Sequence, residues 1–130
     1  MAVETFGSFV RGKRKDRGYT LRGFAEKANL SPVHMSNLET GERAAPTEEA
    51  LERIAVLLLL SKEERDKLYD LAAKSKSAPS VALDLPEYIN GNQLARVALR
   101  TAKEVDATDE EWMEFIAKLQ ARVKEDDGRT

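Results

Sequence analysis

The stretch 20–41, TLRGFAEKANLSPVHMSNLETG, leaves the chain few ways to fold. Thr20 is suited to cap a helix that runs to Ala28, and Asn29 stands where that helix must turn. Asn tolerates a left-handed backbone better than any residue except Gly, so the first helix can end there. Ser31 and Pro32 start a second helix. The Ser hydroxyl accepts from an unpaired N–H, and Pro at the first helical position lacks only a donor that had no partner. Phe24, Ala28, Leu30, Met35 and Leu38 then form one apolar seam, with small Ala25 where the helices cross closely. Val33, His34, Ser36, Asn37 and Thr40 are left projecting outward from the second helix.

The flanking segments repeat the same grammar. Phe6, Phe9 and Val10 make one side of a helix from about Thr5 to Arg17, closed by Gly18. Thr47, followed by Glu48 and Glu49, opens a helix whose apolar positions continue from Ala50 to Leu60. Its broad apolar surface marks the centre of a core. Ser61-Lys-Glu-Glu64 is a capping box for a further helix, with Leu68, Leu71 and Ala72 inward.

From Ser75 to Pro86 the residues are small and include two prolines, as in a linker or a surface arm. Asn92 is placed to cap a helix through Val105, and Thr108-Asp-Glu-Glu111 is a second capping box. The helix it opens carries Trp112, Phe115, Ile116, Leu119 and Val123 at spacings of three and four. The expected layout is all-α: a five-helix domain over 1–74, a linker over 75–86 and a helical extension over 87–130. Two or three helices are too few to hold a core alone. The Trp-Phe-Ile-Leu stripe must be covered by the first domain, by a second copy or by a different protein.

Composition removes several classes of function. With no cysteine there is no disulfide, thiolate metal site or thiol nucleophile, and His34 is the only histidine. Neither GxGxxG nor GxxxxGK occurs, and Asp109-Glu110-Glu111 is a helix start whose neighbours point different ways around the axis. No enzyme activity, cofactor or metal is expected. No apolar run approaches the roughly 20 residues that span a membrane. The opening MAVETFGSF has no basic stretch followed by an apolar one, so a cytoplasmic location is expected.

The net charge of −2 conceals a gradient along the chain. Residues 1–45 carry eight Lys/Arg against five Asp/Glu, whereas residues 77–130 carry seven against eleven. Five of the N-terminal cations fall between Arg11 and Arg17, so the positive potential belongs to the first domain.

The run LRGFAEKANLSPVHMSNLETGER, with EEALERIAVLL after it, resembles the Cro/repressor (XRE) helix-turn-helix family of bacterial and phage transcription regulators. The resemblance covers about Phe6 to Ala72. It implies double-stranded DNA as partner, with the second helix of the motif (31–39) in the major groove. Base-edge contacts would come from Val33, His34, Ser36, Asn37 and Thr40. Phosphate contacts would come from Thr20, Arg22, Ser31 and Arg43, with Lys13 and Arg17 from the first helix. Leu21 and Pro32 stand where the family often has Gln, which removes two amide readers of adenine.

On this reading the protein is a dimeric repressor of a palindromic operator, paired through Trp112, Phe115, Ile116 and Leu119. The alternative is an antitoxin or adaptor whose C-terminal helices bind a partner protein. The C-terminal segment also looks like the extension of regulators that a metallopeptidase inactivates by cleavage. A regulatory protease acting in 75–86 or near the last helices is therefore a third expectation.

Overall fold

A computed structural model describes residues 3–76 and 81–127, with side chains through residue 123. Among these residues there are eight helices and no strand. The chain divides into two compact units, one reaching Tyr88 and the other starting at Ile89.

Hydroxyl caps start the helices of the first unit. Thr5, Thr20, Ser31, Thr47 and Ser61 accept from backbone N–H groups ahead of α1 (Phe6–Asp16), α2 (Leu21–Lys27), α3 (Pro32–Thr40), α4 (Glu48–Leu57) and α5 (Lys62–Lys74). Each such cap is worth about 1 kcal/mol. The ends are as regular. After α1, α2 and α4 the chain turns left-handed at Gly18, Asn29 and Leu59, with φ of 78°, 60° and 54°. At each turn the next N–H reaches back to a helix carbonyl: Tyr19 to Arg14 at 3.1 Å, Leu30 to Ala25 at 2.9 Å and Leu60 to Ala55 at 3.2 Å. These are Schellman closures, and they satisfy carbonyls the helix leaves open. The third one shortens α4, which sequence periodicity extends to Leu60, because Leu59 adopts the conformation usually left to Gly.

Each helix from α1 to α5 buries one stripe. Phe24, Met35, Leu38, Leu51, Ile54, Leu58 and Leu68 are all 1% exposed or less, and Phe6, Phe9 and Val10 close over them from α1. Burying a side chain of this size contributes about 1.5–3 kcal/mol. Helix α1 packs on α3 and α5, α2 on α3, and α4 on α5. The contact of α1 with α3 depends on Gly7, where a Cβ would overlap the carbonyl oxygens of Leu38 and Glu39.

Part of the expected linker belongs to this core. Ala82 is buried and Leu83 packs against the same cluster. The middle of that segment, 77–80, lies outside the described residues.

The second unit holds α7 (Gln93–Val105) and α8 (Asp109–Asp127), preceded by the single turn of α6 (Pro86–Asn90) at the division between units. Asn92 caps α7, and Asp106 ends it in the left-handed region with Ala107 N–H bonded to Ala102 at 2.9 Å. Thr108 and Glu111 exchange the two bonds of a capping box ahead of α8. None of the described residues from Ile89 onward is buried.

Candidate nucleic-acid interface

Helix α3 is the centre of the candidate site. Pro32 stands at its first turn, Ser31 accepts from the His34 N–H at 3.0 Å, and Gly41 ends it at φ 85°. Met35 and Leu38 point into the core. Val33 is 71% exposed and Thr40 is also exposed, while His34, Ser36 and Asn37 are partly so. The five residues expected to read base edges therefore share an accessible surface on one helix. Thr40 is turned back on its own helix, its hydroxyl donating to the Asn37 carbonyl at 3.3 Å.

One charged residue lies in α3, and it is turned inward. Glu39 accepts from Arg14 Nε at 2.8 Å and from Arg14 Nη2 at 3.0 Å, while Arg14 Nη1 donates to the Tyr19 carbonyl at 2.9 Å. The bidentate fork raises the Arg14 pKa: the hydrogen bond to Glu39 raises it and outweighs desolvation. The pair ties the end of α3 to α1, and it removes a carboxylate from a face that would otherwise repel phosphate.

Arg14 was not separated from its basic neighbours by sequence reasoning. A signal was present, because residues 6, 10 and 14 share one helical face and the first two are core. Arg53 was missed as well. Its Nε donates to the Ala28 carbonyl at 3.1 Å, joining α4 to the end of α2, and its Nη1 meets Glu49 at 3.2 Å.

The expected phosphate contacts fall into two groups. Thr20, Arg22, Ser31 and Arg43 are exposed at the start of α2, at the start of α3 and in the loop after α3. Thr20 and Ser31 already serve as caps, but a hydroxyl that accepts an N–H can still donate outward. Lys13 and Arg17 are held elsewhere: Lys13 pairs with Glu64 on α5, and Arg17 Nε donates to the Leu58 carbonyl at 2.8 Å. Both side chains bind α1 to the α4–α5 corner.

In the second unit, Trp112 is partly exposed, and Phe115, Ile116 and Leu119 are 50%, 49% and 42% exposed. Trp112 and Phe115 meet edge to face with centroids 6.1 Å apart. With Ala98, Ala102 and Val105 of α7 they line an open groove. Among the described residues no group of His, Cys, Asp and Glu is arranged to hold a metal, and no helix is long and apolar enough to cross a membrane.

A family model described as a helix-turn-helix domain matches residues 5–68. No curated protein matches. Among solved structures, SinR, the master regulator for biofilm formation, in complex with DNA is 29% identical. That match covers 45% of this chain and 95% of the other, with a TM-score of 0.41. A SinR–SinI protein complex is 21% identical over 92% of this chain and 99% of the other, with a TM-score of 0.45. Residues 5–68 are therefore a helix-turn-helix domain.

Proposed function

We propose that the protein is a sequence-specific transcriptional regulator that binds duplex DNA as a dimer and represses from a palindromic operator. The observation that carries this reading is the surface of α3. It presents Val33, His34, Ser36 and Asn37 while its one acid is bound to Arg14. Asn37 is of the type that bonds adenine bidentately, and Val33 can touch a thymine methyl. Thr20, Arg22, Ser31 and Arg43 would fix the register through phosphates. Because one such helix reads few base pairs, two half-sites are needed for useful affinity and specificity.

The second unit supports assembly. An apolar face over Trp112, Phe115, Ile116 and Leu119 is unusual on a lone monomer, and pairing with a second copy would cover it. The same face also suits a different partner protein, the adaptor reading.

Selection of bound duplexes from a random pool tests the function. The expected result is a two-fold symmetric site, weakened by Arg22→Ala or Arg43→Ala and shifted in sequence by Asn37→Ala. Equal affinity for every duplex, unmoved by these changes, would refute it. Sedimentation of the full chain separates the assembly readings. A dimer that Trp112→Glu with Phe115→Glu converts to monomer supports self-pairing, whereas a wild-type monomer supports the adaptor.

A further inference from the structure

Between α3 and α4 lies a groove of about 390 Å³ whose lining contains cations and no acid. His34 comes from α3, Arg43 from the loop, Arg53 from α4 and Lys76 from the segment just past α5. Arg53 is already engaged with Ala28 and Glu49. Among the described residues, the side chains of Arg43 and Lys76 have neither a hydrogen bond nor an ion pair.

The groove is held in place by Ser75. Its hydroxyl accepts from the Ala45 N–H at 2.9 Å and donates to the Ala72 carbonyl at 2.6 Å. These two hydrogen bonds fasten the loop carrying Arg43 to the end of α5, and so set Lys76 on the same groove. Two unpaired cations facing one groove repel each other, which an anion between them relieves. His34 lines the groove and also stands in the outward row of α3, so an anion seated here lies alongside whatever α3 reads.

We propose that this groove seats a backbone phosphate of the bound duplex, with Lys76 as a DNA contact beside Arg43. The inference rests on the DNA-binding reading and extends it to a residue that the sequence placed in a linker. Lys76 contributes charge and register rather than base choice, because a lysine on a phosphate carries no sequence information.

The test is the salt dependence of duplex binding by the full chain, with the duplex selected above and with an unrelated one. Each phosphate neutralised contributes about 0.9 to the slope of log K against log salt. Lys76→Ala is expected to lower the slope by about that amount and to weaken both duplexes by the same factor. Lys76→Arg should keep the slope, as should Lys74→Ala, which removes an exposed cation outside the groove. A slope and affinity unmoved by Lys76→Ala, in a chain whose wild type binds DNA, would overturn the proposal alone. No duplex binding by the wild type would overturn the parent reading with it. Saturable binding of inorganic phosphate to the free chain, with duplex affinity indifferent to Lys76→Ala, would assign the groove to a free anion and also overturn the proposal.

Discussion

Replacing Arg14 with Met tests how α3 is held. The guanidinium makes three hydrogen bonds, two to the Glu39 carboxylate and one to the Tyr19 carbonyl. The side chains of Arg14 and Glu39 are only 9% and 6% exposed. Arg14→Met keeps most of the volume but leaves a buried carboxylate without its cation. Breaking such a pair from one side costs about 3–5 kcal/mol. Domains of this size have about 5–15 kcal/mol in total, so the loss is a large share. At about 4–8 °C per kcal/mol the melting temperature should fall by roughly 12 °C or more. Removing both charges, as Arg14→Met with Glu39→Met, should recover most of the loss, since an apolar pair of similar size is often neutral. Thermal melts and urea titrations of the wild type, the two single variants and the double variant give the coupling directly. A cost below about 1 kcal/mol for Arg14→Met would refute the reasoning. So would a double-variant loss equal to the sum of the two single losses, which would mean that the charges do not act as a pair.

Other consequences follow from single positions. Gly7→Ala should destabilise by about 1–3 kcal/mol through overpacking against α3, read as a lower urea midpoint; an unchanged midpoint would mean that α1 does not approach α3 so closely. Leu59→Gly should stabilise by about 0.5–1 kcal/mol, because the left-handed strain is relieved at a side chain that is 74% exposed. A lower midpoint at constant m-value would contradict this. The Glu64 carboxyl is lowered to about 2, first by Lys13 and then by the Ser61 N–H of its capping box. Since its folded pKa lies below the ordinary 4.5, its contribution to stability is complete above pH 4.5 and is lost as pH falls towards 2. Glu64→Gln should flatten that part of the acid unfolding profile, and a profile identical to the wild type would count against the Lys13–Glu64 contact.

Local chemistry was legible without coordinates. Caps at Thr20, Ser31, Thr47, Ser61 and Asn92, the turn at Asn29 and the buried stripe through Phe24, Met35 and Leu38 each follow from a few adjacent residues. Helical period alone therefore placed Val33, His34, Ser36 and Asn37 on one outward row. Cations were not legible in this way. Position on the core side of α1 hints at burial for Arg14, but nothing in a linear reading says that Lys13, Arg14 and Arg17 meet Glu64, Glu39 and the Leu58 carbonyl. A charge takes its role from the partner that tertiary contact brings to it, and these partners are remote in the chain. The same reasoning covers Gly7 beneath the end of α3, Ala82 in the core and Lys76 beside Arg43. The sequence by itself determined which segments are helical and which side of each is apolar, because capping and periodicity are short-range. Only the tertiary structure decided which charges lock the helices together and which, among the described residues, are left without a partner, because that depends on groups far apart in the chain meeting in space.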